Sequence, residues 1–247
     1  MNGGWIQFRL RPLAVVLLAL LSWLAPSIEA RPLSSDRTTV SGILTDRLSA
    51  KALRRWRSIE RLILSEDKTG RPRYPTLRGL WKEVEASGHV IYIELPSPRF
   101  GLSSMAGNFS IEYLDPRGKK HIAVIQLYLS AIDQAYVGPD VARPEGFIPF
   151  DGLSRVERYA EVLGHELAHA TYILGDLRRA QEVVETIEQT NELLLSRSSQ
   201  RRHEWPDPEL CQRLLRRDAV LEKLEASAEA FEKLVWQELS ARKRERQ

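Results

Sequence analysis

The sequence is poor in cysteine, with Cys211 the single one among 247 residues. An intrachain disulfide is therefore excluded, so the fold must be held by a hydrophobic core, for which this length is sufficient. The lack of disulfides favours a bacterial periplasmic or secreted protein over a secreted eukaryotic domain, which more often carries several.

The chain also lacks a strong charge of either sign. Its 36 basic and 33 acidic residues leave a formal net charge of +3. No basic stripe is interleaved with aromatic residues, and the most basic segment, 242–246, is typical of a solvated helix end. Nucleic acid is therefore not expected as a partner, and nothing in the pattern indicates an oligomeric state.

Long hydrophobic runs are absent after residue 30. Residues 1–30 carry Arg9 and Arg11, then an almost wholly apolar run, then the small residue Ala30. This order is typical of a secretory signal peptide, and the apolar run is shorter than the ~20 residues of a spanning helix. We predict cleavage after Ala30, or alternatively after Ser27, and export to the periplasm or the medium, in preference to an uncleaved membrane anchor.

Hydrophobic periodicity predicts a strand-rich stretch flanked by helices. In order, the predicted elements are a helix at 49–64, a helix at 76–86, a strand at 89–95 and a hairpin of 108–114 with 120–129. Residues 31–45 are predicted to be loose and 133–150 to form a long loop. From Ser154 onward the chain is predicted to be helical.

These elements predict an α+β fold, in which a small antiparallel sheet leads into a helical half that carries the chemistry. Residues 31–88 form an N-terminal helical segment, which could be a flap, a propeptide or part of the core, and 89–247 form one domain. The strand at 120–129 is apolar on both faces, as in a buried strand, although it is also a candidate for pairing with an extended substrate.

The motif His-Glu-Leu-Ala-His at 165–169 lies on the helix that Ser154 begins. Histidines four apart on a helix are separated by about 40° around the axis and about 6 Å along it, so both imidazoles can reach one Zn²⁺. Glu166 is turned by about 100° from His165 and can take a proton from a water that the metal activates. The alternative is that these are surface histidines and a solvated charge.

His165, Glu166 and His169 resemble the motif of the zincin metallopeptidases, and the resemblance covers roughly residues 89–240. It implies a zinc cofactor, a peptide or protein substrate, hydrolysis of peptide bonds with Glu166 as the catalytic base, and a third protein ligand from a later element. The metzincin extension requires glycine at position 172 and histidine at 175. This chain has Tyr172 and Gly175 there.

The run from Glu225 to Phe231 resembles the Glu-x-x-Ala-x-x-Phe pattern of the ImmA/IrrE-type peptidases. It is also similar to the Glu-x-x-x-Asp element of the Oma/HtpX-type peptidases, which are gluzincin-like. Both resemblances imply Glu225 as the third metal ligand, with Glu229 either holding a histidine N–H or replacing Glu225 as ligand. The alternative is that these glutamates face solvent.

Two residues are candidates for stabilising negative charge during the reaction, Tyr172 on the motif helix and His203 before the last helix. The alternative is a packed tyrosine and a solvated histidine. The prediction from the whole sequence is an exported zinc metallopeptidase, a hydrolase. A catalytically idle zinc-binding module that holds a peptide or partner protein is the second interpretation.

Overall fold

A computed structural model describes residues 41–96, 106–118, 120–135, 153–198 and 208–244 of the chain. The strands are β1 (Gly42–Leu44), β2 (Val90–Glu94), β3 (Gly107–Tyr113) and β4 (Ile122–Leu127). The helices are α1 (Ala50–Ile63), α2 (Pro75–Ala86), α3 (Leu129–Ala135), α4 (Arg155–Leu174), α5 (Leu177–Ser198) and α6 (Pro208–Arg244). The predicted signal peptide, residues 1–30, lies outside the described residues.

The α+β class is confirmed, and the sheet is mixed where an antiparallel one was expected. The four strands lie in the order β1-β2-β4-β3, with β1, β2 and β4 parallel and only β3 antiparallel to β4. A tight turn joins only the β3–β4 pair, whereas α1 and α2 cross over from β1 to β2, as parallel pairing requires. The segment 31–45, which was expected to be loose, therefore contains strand β1. Its three residues are too few to form a recognisable pattern in the sequence.

The position of β4 corrects a second expectation. This strand lies inside the sheet, between β2 and β3, so its backbone hydrogen bonds are already made on both sides. Its two-sided burial agrees with the apolar residues on both of its faces. An extended peptide therefore cannot pair with β4, and the outer strand beside it is β3.

Helices α1 and α2, which lie between β1 and β2, belong to the same hydrophobic core as the later helix α4. Trp56 of α1 stacks on Trp81 of α2 with ring centroids 5.8 Å apart. Both pack with Ile91 and Ile125 of the sheet and with Leu167 of α4 in one buried cluster. The described part of the segment 31–88 is therefore part of the core.

Helix α4 begins and ends as its sequence predicts. Ser154 and Glu157 form the capping box, with 2.7 Å from the Ser154 amide nitrogen to Oε2 of Glu157 and 3.3 Å in the reciprocal bond. Gly175 follows its last turn. The helix is buried on most of its circumference, which places charged and polar side chains in the interior and requires partners for them.

Helix α6 lies close against α4 because Gly164 has no side chain. A Cβ built at this position would lie 3.2 Å from Cγ2 of Val235 on α6 and 3.3 Å from Cδ1 of Leu77 on α2. The Glu238 side chain of α6 also accepts the Thr76 amide N–H of α2 at 2.7 Å, which satisfies one of the free N–H groups of that helix start. Three helices are thus held together around the middle of α4.

Two further predictions, for the segment 133–150 and for the start of the last helix, can be compared with the structure after β4. The segment 133–150 was expected to be a loop, but its first residues, 133–135, belong to α3, while 136–152 lie outside the described residues. Pro208 stands at the start of the last helix, as predicted. Within the described helices, none combines the length and the apolar character that crossing a membrane requires.

Candidate metal centre

Helices α4 and α6 bring two imidazoles and a carboxylate to one point. Nε2 of His165 lies 2.9 Å from Nε2 of His169. The carboxylate of Glu225 reaches both rings, with 3.4 Å from Oε2 to Nε2 of His165 and 3.6 Å from Oε1 to Nε2 of His169. The three residues that the sequence proposes as metal ligands therefore stand together, and they could hold one ion.

The spacing of these donor atoms fits a small tetrahedral ion. Zinc bonds to nitrogen and carboxylate oxygen are about 2.0–2.2 Å long, so two donors in a tetrahedral site are about 3.3–3.6 Å apart. The separations of Glu225 from the two imidazoles, 3.4 and 3.6 Å, fall in that range, and the two Nε2 atoms, 2.9 Å apart, would have to separate by about 0.4 Å to bind one ion. The imidazole rings stand nearly perpendicular, at 87°, so that both Nε2 atoms converge from different directions. The residues present therefore fit zinc.

Glu232 holds the far side of the His165 ring. Nδ1 of His165 donates to Oε2 of Glu232 at 2.9 Å, and Nε2 of the same ring faces Glu225 and His169. A carboxylate on the outer nitrogen fixes the tautomer and orientation of a metal-binding imidazole. From the sequence, Glu232 was one of the glutamates of the last helix and had no assigned role.

Glu229, which the resemblance implied for that role, is exposed on α6. No hydrogen bond or ion pair joins it to either histidine. On a helix, position i+7 lies about 20° from position i, whereas i+4 lies about 40° away. Glu232 is seven residues after Glu225 and so faces α4 two turns on, beside Nδ1 of His165. This spacing is the signal that could have found it.

His169 is buried, with 5 % of its surface exposed. Its Nε2 atom faces the other two donors, and its Nδ1 atom is buried without a hydrogen-bond partner in the described part of the chain. Burial and then the neighbouring His165 lower its pKa to about 4. A neutral imidazole is the form that binds a metal.

Glu166 is buried on α4 against the start of β3. The absence of a side chain at Gly107 leaves room for this carboxyl group, because a Cβ there would overlap Oε1 of Glu166 and lie 2.9 Å from Cγ1 of Val162. Burial raises the pKa of Glu166 to about 8, although the charge of His165 works in the opposite direction. Its carboxyl group can therefore exchange a proton near neutral pH.

The electrostatics of the centre favour a positive charge between the carboxylates. Burial alone would lower the pKa of His165, but its bonds with Glu225 and Glu232 outweigh burial and raise the pKa to about 10. Burial would raise the pKa of Glu225, and contact with His165 and His169 lowers it instead. Without an ion, a proton on His165 supplies the positive charge that a cation would supply.

The structure does not bring Tyr172, one of the two candidate oxyanion donors, to this centre. The Tyr172 ring lies under the guanidinium of Arg179, 3.8 Å from its centroid. No hydrogen bond links the Tyr172 hydroxyl to His165, His169 or the glutamates beside them. His203 lies outside the described residues, so its prediction stays untested.

Comparison with known proteins found no significant match for this chain. No protein-family model matches the chain. No curated protein and no solved structure is significantly similar to it. The interpretation of the centre therefore depends on the arrangement of its own residues.

Proposed function

We propose that the chain is a zinc-dependent peptidase that acts after export. The observation that carries the proposal is the convergence of Nε2 of His165, Nε2 of His169 and the Glu225 carboxylate, with Glu166 buried next to His165 on α4. Two imidazoles and one carboxylate are the ligand set of catalytic zinc sites that keep a fourth position open for water or substrate.

Zinc bound at this centre would polarise the scissile carbonyl group and lower the pKa of water. Glu166 would take the proton from the attacking water and deliver it to the leaving amine. A general base works best when its pKa is near the working pH, and burial raises the pKa of Glu166 to about 8. His165, held by Glu232, and His169 would keep their Nε2 atoms directed at the ion.

Strand β3 supports a peptide as the substrate. It is the outer strand of the described sheet, and its first residue, Gly107, lies against Glu166. An extended chain that pairs with an outer strand gains main-chain hydrogen bonds without a sequence requirement. Pairing along β3 would bring a peptide bond beside Glu166 and the zinc ligands.

The proposal is tested with the purified chain, its Glu166→Gln variant and the exposed control Glu229→Gln. Zinc content and cleavage of a mixed peptide library are measured for all three. We expect one zinc per chain in each, and a rate at least about 100-fold lower for Glu166→Gln alone, because it removes the proton transfer. Zinc binding without cleavage by the wild-type chain would favour the idle zinc-binding module. A wild-type chain without zinc affinity would overturn both.

A further inference from the structure

Arg47 connects the loop after β1 with β3, the strand at the opposite edge of the described sheet. Its guanidinium forms two parallel bonds with the Glu112 carboxylate of β3, 2.7 Å from Nη1 to Oε1 and 2.7 Å from Nη2 to Oε2. The same group lies over the Tyr92 ring of β2, 3.6 Å from the ring centroid. A bidentate pair that also stacks on an aromatic ring is stronger than an ordinary surface ion pair, so it can hold the outer strand.

The contact with Arg47 occurs at a β-bulge in β3. Ile111 pairs with Ala123, and Tyr113 pairs with Ile122, the adjacent residue of β4. Glu112 is therefore an extra residue of β3 that faces no residue of β4 in the ladder. A bulge of this kind interrupts the pairing of a strand and redirects a side chain. The ion pair thus lies at the position where the pairing of β3 with β4 is weakest.

Arg47 is also linked to the other end of β3. Its Nη1 atom donates to Oε1 of Glu94 at 3.2 Å, and Oε2 of Glu94 accepts from Nε2 of Gln126 at 2.9 Å. Oε1 of Gln126 accepts from the hydroxyl group of Tyr128 at 2.9 Å. The amide N–H of Tyr128 donates to the carbonyl oxygen of Ala106, the residue before β3, at 3.0 Å. A chain of hydrogen bonds therefore runs from the bulge to the start of the strand.

The outer position of β3 makes these contacts relevant to substrate binding. In the described sheet β3 pairs with β4 on one side, and the proposed function assigns its other side to the peptide. An edge strand with a bulge opens more easily than an inner strand. If the strand had to be ordered each time a peptide binds, the cost of ordering would reduce the affinity for the peptide.

We propose that Arg47 is a positioning residue for the substrate, which binds Glu112 and so keeps β3 ordered along the edge that pairs with the peptide. This inference rests on the proposed function. The zinc ligands and Glu166 belong to α4 and α6 and not to the sheet. Loss of the ion pair should therefore weaken peptide binding and leave the chemical step unchanged.

Kinetics of Arg47→Met test the role in binding, because this substitution removes the guanidinium and keeps much of the apolar stem. For a peptide that the wild-type chain cleaves, we expect KM to rise at least about fivefold, with kcat and zinc content unchanged within about twofold. Arg61→Met is the matched control, since Arg61 lies on α1 and its Nε atom donates to the carbonyl oxygen of Arg57 in the same helix. It should keep the wild-type KM, and a fall in kcat of Arg47→Met at constant KM would contradict the proposal.

Glu112→Gln tests the same contact from the side of the strand. Because both substitutions remove one ion pair, the double variant should have the KM of Arg47→Met alone. Separate effects that multiply in the double variant would mean that the two residues act independently, and they would overturn the proposal. Thermal unfolding verifies that the variants fold, and Glu112→Gln alone serves for the comparison if Arg47→Met does not.

Hydrogen exchange gives a second readout that needs neither zinc nor catalysis. In the metal-free chain we expect the backbone amides of 107–113 to exchange at least about tenfold faster in Arg47→Met than in the wild-type chain and in Arg61→Met. Equal exchange would show that Arg47 does not order β3. Faster exchange with an unchanged KM would exclude the role in substrate binding. If the wild-type chain cleaves no peptide, the proposed function fails, and the exchange rates still decide whether Arg47 orders the strand.

Discussion

Gly107 and Glu166 are in contact across the junction of β3 and α4, where a Cβ at position 107 would fall 2.4 Å from Oε1 of Glu166. Through this contact, strand β3, which is proposed to bind the substrate, touches Glu166, the proposed catalytic base. It also shows why a residue without a side chain is needed at the start of an outer strand, where β-propensity alone disfavours glycine.

We expect Gly107→Ala to lower kcat/KM for peptide cleavage by about 10–100-fold, because a displacement of about 1 Å at a reacting group costs that much. The fold should persist, since the displaced atoms are the far end of a flexible side chain. Zinc content should not change, because the ligands are separate from this contact. The measurement is kcat/KM together with metal content.

Gly79→Ala is the matched control, because nothing lies within 4 Å of a Cβ built at that helical position. It should leave the rate unchanged and stabilise α2 by up to about 1 kcal/mol. Equal rates for the two alanine variants would show that Glu166 does not need the space at Gly107.

Alanine substitutions along α6 should produce a graded loss of zinc. Glu225→Ala removes a proposed ligand and should weaken binding by more than about 100-fold, whereas Glu232→Ala removes the partner of His165 and should cost about 10–100-fold. Glu229→Ala, on the exposed side of the same helix, should have no effect. The measurement is zinc affinity by competition. A larger loss for Glu229→Ala than for Glu225→Ala would reverse the assignment of the ligand.

Removal of the metal should destabilise the fold. The ligands come from two helices, so an ion at this centre binds the native chain and stabilises it by about 2.7 kcal/mol at a free concentration 100 times its Kd. For a chain of this size that corresponds to a shift in Tm of about 5–10 °C. Calorimetry with and without a chelator measures this shift. Glu225→Ala should show almost no response to the chelator, and a wild-type chain without any response would contradict a shared ion.

The local parts of the centre could be predicted from the sequence, and the parts that depend on helix register could not. The capping box at Ser154 and the spacing of His165 and His169 lie within one helix, so their geometry follows from residues a few positions apart. Glu225 required a resemblance to other peptidases. Glu232 was missed because the spacing of seven from Glu225 places it on the same face of α6, whereas its contact with His165 depends also on how α6 is aligned against α4.

The same distinction applies to the sheet. Strands β2, β3 and β4 were predicted close to their observed bounds, because their apolar and β-branched residues form local patterns. Strand direction is not a local property, and the parallel pairing of β2 with β4 was missed for that reason. Strand β1 has only three residues, and it is recognised by its pairing with β2.

Two buried histidines connect the sheet to the end of α4. The Nδ1 atom of His89 accepts the backbone N–H of His121 at 3.1 Å, and Nδ1 of His121 accepts that of Asp115 at 3.1 Å. Nε2 of His89 then donates to the carbonyl oxygen of Leu174 at 3.2 Å. A proton on either Nδ1 would break a backbone hydrogen bond, so both rings must be neutral in the folded chain.

We therefore expect His89 and His121 to contribute less to the free energy of unfolding as the solution is acidified. Burial lowers the pKa of His89 and His121 below the ordinary value of 6.5, so the unfolded chain binds more protons at these two sites, and the stability that they contribute above about pH 6.5 is lost below it. The slope reaches at most about 1.4 kcal/mol per pH unit for each histidine. His121→Asn keeps an acceptor for Asp115 but cannot titrate. In urea unfolding with a chelator present, the free energy of unfolding of His121→Asn relative to that of the wild-type chain should rise between pH 7.5 and pH 5.5, and a constant difference would exclude a contribution from His121.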